Sequence, residues 1–507
     1  MLTRKSIQTF ADTTQSDVVA GLSEVAVNSY ASKHQTMFPD VYKGDGTAPP
    51  LDLKFEYIIG APLKFDFTTV NNSADVFKRA ILSDPLFFAQ KQLFREDLTA
   101  PTITATVSAI KVSFYALASG THLADVDVEA VASVALTVDP APPGHYSLFV
   151  TSVNVHITSI DLMNIEEDVL AGCDINKLIE HILTTVMTDR LRRFLQAFPL
   201  PQPHWVVSGI EIGLQNIEVI EDYLVLSLFA KSISVAQESI AELSNNLDSA
   251  DAMHHSVFGK VPSISINTNS KGDEATGILD LRRSRALVPS QYKSVKATIM
   301  TEDAQTPAGD MFVSFSQRLF QLIADKKLNI QVDKMKQSGG WAHYFYRFGY
   351  HVYQPTASVL NTGVRFTAEI TGYAAGGAGL SGCSSKVKVE LGASATADPR
   401  VIADANFFTQ KQGTELWIWP FAFPFLVIAR AWMKPYVPIL DFLLSLIVSS
   451  LMNLFSAFIL PLISLFLRFK LVSLPDLVPG TPVPMHPSIT DLGNWEGMLY
   501  VSFSMGL

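Results

Sequence analysis

The residues nearest to a catalytic motif lie in GLSGC, at Gly379 to Cys383. A serine nucleophile in a G-x-S-x-G elbow needs its second glycine two residues after Ser381, and here Gly382 comes one residue early. The glycine-rich run Gly372 to Gly382 has neither the lysine of a phosphate-binding loop nor the glycine spacing of a dinucleotide fold. It predicts a loop or a bulged strand. We therefore expect no catalytic residues, no cofactor and no enzymatic activity.

Metal and disulfide chemistry have equally weak support. His254 and His255 are adjacent, so they cannot share one helical face as a pair of metal ligands would. Cys173 and Cys383 lie about two hundred residues apart with no CxxC motif. We expect solvated loop histidines, buried free thiols and no metal site.

The composition is that of a large and mostly soluble chain. Its 507 residues suggest two or three domains, and an apolar content of 48% is enough for extensive cores. The net charge of −10 argues against a nucleic-acid partner and against docking to anionic lipid by bulk electrostatics. Residues 1–14 have no apolar segment of the kind that a secretory signal requires. The compartment stays unassigned, with the cytoplasm or export by a non-classical route as the two options.

One segment departs from this composition, the uncharged apolar run from Phe442 to Leu467. It is long enough to cross a bilayer core about 30 Å thick. However, it keeps a polar stripe within about 80° on a helix, which is typical of a helix packed along a sheet. Three interpretations stay open: a lipid-facing packed helix, a membrane-inserting segment and an oligomer interface. The stripe consists of Ser445, Ser449, Asn453 and Ser456.

Hydrophobic periodicity predicts the elements around this run. Ser16 is predicted to cap an N-terminal helix whose apolar positions extend from Val18 to Tyr30. The period then changes to two, which predicts unusually long antiparallel strands, and a long amphipathic helix follows them. These strands and this helix are predicted at residues 103–115, 122–138, 146–160 and 176–198.

The order of helix, proline stop and strand hairpin then occurs twice along the chain. Shifting residues 217–228 by 275 positions aligns Ile217 with Leu492 and Tyr223 with Met498 without a gap. Residues 310–332 add a strand, a cap at Ser316 and a helix to the second copy. The chain is therefore predicted to contain two copies of one module.

In this pattern the chain resembles the tubular lipid-binding superfamily, which includes bactericidal/permeability-increasing proteins and accessory proteins encoded beside clostridial toxins. The resemblance is carried by Met311 to Ile330, a strand that ends in a serine-capped aromatic helix, and by Leu178 to Phe229, a helix, proline stop and hairpin. It implies an α+β fold of two tandem elongated modules. In each, a long curled antiparallel sheet would wrap on long amphipathic helices, and a central sheet would join the modules.

The resemblance also implies domain boundaries and a ligand. Residues 1–235 and 310–507 are predicted to form the two tubular modules, and the polar residues 236–309 to connect them and contribute to the central sheet. Helix and sheet would enclose an apolar tube for lipid. Ordinary core packing is the alternative for each predicted lining residue. These residues are Leu178, Ile182, Val186, Phe194, Leu446, Leu454, Phe458 and Ile463.

An aromatic stretch with two basic residues, Trp417 to Tyr436, is predicted to touch a membrane. Tryptophan and tyrosine suit the headgroup boundary because each ring is apolar with one polar group. A buried strand followed by a turn is the alternative. The predicted membrane-contact residues are Trp417, Trp419, Phe421 and Trp432.

The sequence thus predicts noncatalytic binding or transfer of a lipid or another apolar ligand. The alternative is a membrane-inserting or partner-binding protein that uses the helix at residues 442–467. Peripheral membrane contact and a protein partner, including a second copy of the chain, stay open as interactions.

Overall fold

The computed structural model is mostly β, with few helices among the residues that it describes. It describes residues 4–48, 53–67, 102–139, 145–162, 184, 204–230, 293–295, 298–299, 309–337, 342–360, 363–380, 388–398, 400–422, 426–434, 442–449, 468–477, 482–495 and 497–507.

The helices, in chain order, are α1 (Arg4–Thr14), α2 (Glu24–Met37), α3 (Gln317–Leu328), α4 (residues 442–449) and α5 (Leu474–Leu477). The strands of the first half are β1 (Val18–Ser23), β2 (Lys43–Ala48), β3 (Leu53–Ile59), β4 (Lys64–Asp66), β5 (Thr102–Ala116), β6 (His122–Asp139), β7 (His145–Leu162), β8 (His204–Val207), β9 (Ile210–Ile220) and β10 (Tyr223–Ala230). Those that follow are β11 (Lys293–Val295), β12 (Thr298–Ile299), β13 (Met311–Ser316), β14 (Ile330–Gln337), β15 (Ala342–Leu360), β16 (Gly363–Leu380), β17 (Lys388–Asp398), β18 (Val401–Gln410), β19 (Glu415–Ala422), β20 (Leu426–Lys434), β21 (Phe469–Ser473), β22 (Ser488–Trp495) and β23 (Met498–Ser504).

The predicted N-terminal helix is confirmed only from Val25 to Tyr30, which lie in α2, whereas the cap at Ser16 and the helix over Val18–Ser23 are wrong. Val18–Ser23 is strand β1, and α2 begins after it with Ser23 as its cap, whose Oγ accepts from the Ala26 N–H at 3.1 Å. A short continuous apolar run fits a buried strand as well as a helix. All six residues of β1 are buried, because the main core covers one face and α1 places Ile7 and Phe10 in a cluster on the other.

A central eight-stranded sheet joins strands from both halves of the chain. Its order is β12-β22-β23-β13-β1-β10-β9-β8, with β1 and β13 antiparallel at the middle. On each side of this pair lies the hairpin predicted from the sequence, β9–β10 beside β1 and β22–β23 beside β13. The predicted cap at Ser316 is confirmed, since its Oγ accepts from the Leu319 N–H at 3.3 Å at the start of α3.

The two hairpins have the same register. β10 shifts its pairing with β9 after Ser227, and β23 shifts its pairing with β22 after Ser502. The two positions differ by the same 275 residues that align the hairpins in sequence. The irregularity is therefore a shared feature of both hairpins.

Two aspartates occupy equivalent places ahead of the middle strands. Asp17 Oδ2 accepts from the Ala230 N–H at 2.8 Å, and Asp310 Oδ2 accepts from the Met505 N–H at 2.7 Å. Each aspartate carbonyl also accepts from the N–H of the opposite capping serine, Ser316 or Ser23, at 2.9 Å. These bonds tie each end of the β1–β13 pair to the neighbouring hairpin.

Two long antiparallel sheets extend from this centre. The first long sheet has the order β2-β3-β5-β6-β7, and the second contains β14-β15-β16-β18-β19-β21 with β17 and β20 attached through β16. The long strands predicted at 103–115, 122–138 and 146–160 are confirmed as β5, β6 and β7. The predicted long helices are not shown: residues 176–198, apart from 184, and residues 450–467 lie outside the described residues.

Candidate functional site

The outer face of the second long sheet is polar and internally paired. Arg365 Nε and Nη2 donate to the two carboxylate oxygens of Asp404 at 2.6 and 3.0 Å. The Tyr373 hydroxyl donates to Asp333 at 2.7 Å, and this hydrogen bond lowers the pKa of the Asp333 carboxyl. Odd-numbered residues of β16 therefore lie on this outer face, because side chains alternate along a strand, and Arg365 and Tyr373 reach solvent there whereas Ala375 is 6% exposed.

The opposite, inner face of β16 changes along the strand. Val364 and Phe366 are 1% and 3% exposed and belong to the main core. Further along the same face, Ile370 and Gly372 are only partly buried and Ala374 is exposed. No charged residue stands at these even-numbered positions. The inner face thus loses its cover toward the end of β16 while staying apolar.

The neighbouring strand β17 continues this uncovered surface. Ala374 and Gly372 pair across the sheet with Ala393 and Ala395, which are partly exposed. Leu391 follows on the same side and is 48% exposed. The run Gly372 to Leu380 is strand, and Gly372, Ala374, Ala393 and Ala395 form a shallow apolar floor.

The helix α4 lies beside this floor, against β20. Its serines contact the β20 backbone, while its large apolar side chains are left open to water. The described part of the predicted apolar helix therefore has an uncovered apolar ridge. The ridge residues are Phe442, Leu443, Leu446 and Ile447, exposed by 68%, 50%, 57% and 52%.

The predicted membrane-contact residues separate into two groups. Trp419 is 1% exposed and Phe421 is 9% exposed, and both pack with Phe408 in a cluster within β18 and β19. Trp417 and Trp432 are partly exposed. The Trp417 indole donates to Glu415 at 3.1 Å. Of the four predicted membrane-contact residues, only Trp417 and Trp432 are therefore partly open to solvent, because Trp419 and Phe421 are inside.

Most predicted lining residues lie outside the described residues, and Leu446 is the described one. The undescribed ones are Leu178, Ile182, Val186, Phe194, Leu454, Phe458 and Ile463. The same holds for Ser381, His254, His255, Cys173 and Cys383. Within the described part of the chain, no three His, Cys, Asp or Glu side chains come together as a metal site would require. None of the helices that the described residues form could span a bilayer.

The first long sheet carries a groove of a different kind on its outer face. The groove has a volume of about 890 Å³. Some of its polar groups bond to one another: Lys54 donates to Glu56 at 2.7 Å, and Ser113 donates to Asp125 at 2.6 Å. The hydrogen bond from Ser113 lowers the pKa of the Asp125 carboxyl. A charged groove offers no place for an apolar ligand.

Comparisons with known proteins give structural neighbours only. No family model matches the chain, and no curated protein matches it. It is similar to a solved structure titled lipopolysaccharide binding protein, with 10% identity and a TM-score of 0.31 over 96% of this chain and 98% of that one. It is also similar to P47 from Clostridium botulinum A2, with 10% identity and a TM-score of 0.30 over 97% and 98% of the chains. A third similar structure is P47 of Clostridium botulinum E1, with 10% identity and a TM-score of 0.31 over 97% of this chain and 99% of that one.

These neighbours have the tubular lipid-binding type of fold that the sequence resemblance named. A TM-score near 0.3 does not support an assignment of this chain to their family.

Proposed function

We propose that this protein binds a lipid or another apolar ligand without catalysis, on the inner face of the second long sheet beside α4. One observation carries the proposal. The inner face of β16 is buried at Phe366 and exposed at Ala374, with no charged residue between or beyond them on that face. An apolar surface that the described residues leave uncovered in this way offers a place for an apolar partner.

The physical basis is the excess of uncovered apolar surface. Each methylene that moves from water onto such a surface contributes about 0.8 kcal/mol. An acyl chain laid along β16 and β17 would cover Ile370, Leu391 and the alanine floor at once. The small side chains at Ala374 and Ala393 leave room for it beside the α4 ridge.

The finer parts of the proposal concern the tube and transfer. We propose that α4 and the following apolar residues form one wall of the site and the sheet forms the other. Leu446 would then contact the ligand, as would the undescribed Leu454, Phe458 and Ile463. A matching site in the first half would use Leu178, Ile182, Val186 and Phe194. Extraction from one membrane and delivery to another would follow from a ligand held reversibly.

The first experiment is native mass spectrometry of protein purified without detergent, followed by organic extraction and lipid mass spectrometry. We expect one stoichiometric and reproducible lipid class. The variant Ala374→Phe should lose it, because the added ring fills the floor. The outer-face change Thr371→Phe is the matched control and should keep it. An empty wild-type protein that also takes up no added fatty acid would contradict the proposal.

The α4 ridge favours a second function, insertion into a membrane or binding of a partner chain. Four large apolar side chains are exposed together on eight described helical residues. In that case Leu446→Glu should abolish flotation with vesicles and resistance to a carbonate wash. Val25→Glu is the control, since Val25 is a 67% exposed apolar residue on α2. Lipid recovered from the wash-soluble protein would favour the first function.

A further inference from the structure

Strand β20 presents three side chains on the outer face of the second long sheet. Ile428 is 53% exposed, Arg430 is exposed and Trp432 is partly exposed. The residues between them lie on the inner face, because side chains alternate along a strand. These inner residues are Val427, Ala429 and Ala431, each at most 7% exposed. We call Ile428, Arg430 and Trp432 the β20 patch.

Trp432 lies across the sheet because its cross-strand partner is a glycine. It pairs with Gly392 of β17, and Gly392 pairs with Ala375 of β16. A Cβ on Gly392 would come within 2.2 Å of the indole ring, so the ring occupies the space that a side chain would fill. Part of the indole thus rests on the sheet, while the rest stays open to water.

Arg430 adds a positive charge with no carboxylate beside it. Its neighbours in the same row of the outer face are Ser394 and Tyr373, which are uncharged. Elsewhere on this face the Asp404 carboxylate is already held by Arg365. In the part of the chain that the structure describes, the Arg430 guanidinium has no ion pair. The β20 patch is therefore locally positive on a chain whose net charge is −10.

The composition of the β20 patch favours a membrane surface over a soluble anion. One exposed guanidinium gains little from a free anion in water. At an anionic bilayer the same group meets many phosphates, and each arginine near that surface adds to the attraction. Tryptophan is enriched at the headgroup boundary, and Ile428 supplies apolar surface next to Arg430. A strip of apolar, cationic and aromatic side chains therefore fits the boundary between headgroups and acyl chains.

The same strand also has exposed apolar surface along its free edge. Ser445 Oγ of α4 accepts from the Ala431 N–H at 2.9 Å, on the side of β20 away from β17. The ridge of α4, which includes Phe442 and Leu446, is more than half exposed at both residues. Apolar surface thus adjoins the β20 patch, as expected of a region that meets lipid.

We propose that the β20 patch is a docking surface for a bilayer that contains anionic phospholipid. Arg430 donates to a lipid phosphate, and Trp432 and Ile428 lie at the boundary between headgroups and acyl chains. The inference goes beyond the proposed function, because this contact needs no ligand on the inner face. It also differs from insertion of α4, because it assigns the dependence on lipid charge to the outer face of the sheet.

The test is co-sedimentation of the full chain with two kinds of vesicle, pure phosphatidylcholine and phosphatidylcholine mixed with phosphatidylserine. Wild type should prefer the mixed vesicles. Arg430→Gln should bind them about fivefold more weakly, the ratio for about 1 kcal/mol per arginine near an anionic surface. Its binding to pure phosphatidylcholine should equal that of wild type. Arg430→Lys keeps the charge and should keep the preference.

A matched control and a second variant make the result specific. Lys64→Gln removes the same charge from β4, where Lys64 is exposed on the first long sheet, and it should bind both vesicles as wild type does. Trp432→Phe tests the position of the indole. Brominated phosphatidylcholine in the mixed vesicles should quench wild-type tryptophan emission more than that of Trp432→Phe. Arg430→Gln removes no bond to a described residue, so it should fold as wild type does.

The outcomes that would overturn the docking surface are distinct. Equal binding of Arg430→Gln and wild type to the mixed vesicles would remove the role of Arg430, and so would an equal loss in Lys64→Gln. Equal quenching in Trp432→Phe would remove the indole from the bilayer. A wild-type protein that binds neither vesicle would overturn the proposal, and dimers that Arg430→Gln disrupts would then assign the patch to a second copy of the chain. An empty inner face with intact docking would contradict the proposed function alone.

Discussion

The two long sheets share an alternating pattern but differ in how far their inner faces are covered. In β6 of the first sheet, the described inner residues Ala124 to Ala132 are at most 4% exposed. In β16 of the second, cover is complete at Phe366 and lost by Ala374. Burial is thus a property of what lies over a strand, and the same alternation can yield a closed core or an open apolar surface.

In the central sheet, by contrast, the two halves of the chain are alike. There the two hairpins keep one register, and Asp17 and Asp310 make the same backbone bond. The halves therefore correspond where they meet and diverge in their long sheets.

The largest expected effect comes from adding a phenyl ring to the inner face of each long sheet. Ala130→Phe should cost up to about 3 kcal/mol of unfolding free energy, because Ala130 is 1% exposed and the core is already filled. Ala374→Phe should change it by about 0.5 kcal/mol or less, and should abolish ligand binding. Urea unfolding and lipid extraction measure both effects. Equal destabilisation by the two changes would contradict the view that the inner face is filled in the first long sheet and open in the second.

A smaller effect is expected at two glycines that lie under aromatic rings. A Cβ on Gly46 would come within 2.5 Å of Phe55, which is 5% exposed in the core. A Cβ on Gly392 would come within 2.2 Å of Trp432, which is partly exposed.

Gly46→Ala should therefore lower the free energy of unfolding by about 1 kcal/mol or more, because the buried Phe55 ring has no space into which it can move. Gly392→Ala should cost less, because Trp432 can move into solvent. Its indole emission should shift to longer wavelength on that movement. A larger loss of thermal stability for Gly392→Ala would show that the outer face of the second sheet is the more rigid one.

The smallest effect concerns the aspartates of the central sheet. Burial raises the pKa of the Asp17 carboxyl, against the bond from Ala230 and the charge of Arg318. Its contribution to stability is therefore present below the unfolded pKa of about 3.9 and is lost as pH rises through the folded pKa. Asp17→Asn removes this loss, so the unfolding free energy of the variant relative to wild type should rise between pH 4 and pH 7.

Asp310→Asn is the matched control for the change of the acceptor group, since Asp310 accepts from the equivalent Met505 N–H. Urea unfolding at pH 4 and at pH 7 compares the free energies of unfolding of the two variants. An identical pH dependence in both variants would contradict an effect of burial specific to Asp17.

Local patterns allowed much of the fold to be predicted. Alternation predicted β5, β6 and β7, and the Ser316 cap and the two hairpins also carry local signals. Val18–Ser23 was misread because a strand covered on both faces looks like a helical run. The long helices and domain boundaries stay predictions.

The candidate site was only partly predictable. The serine stripe was visible in the sequence, yet its partner β20 is set by tertiary packing. The strand that carries the floor was predicted as a loop or a bulged strand, because glycine and alanine have weak strand propensity. Exposure of Ala374 depends on which other segments cover it, and no local pattern encodes that.

The most direct test of the account is cross-linking with a photoactivatable fatty acid, followed by peptide mass spectrometry on the full chain. The account predicts adducts on β16, β17 and α4, at peptides that contain residues 370–395 and 442–449. It also predicts that Ala374→Phe removes them. Adducts confined to the first long sheet, or unchanged in Ala374→Phe, would contradict a ligand site on the inner face of the second sheet.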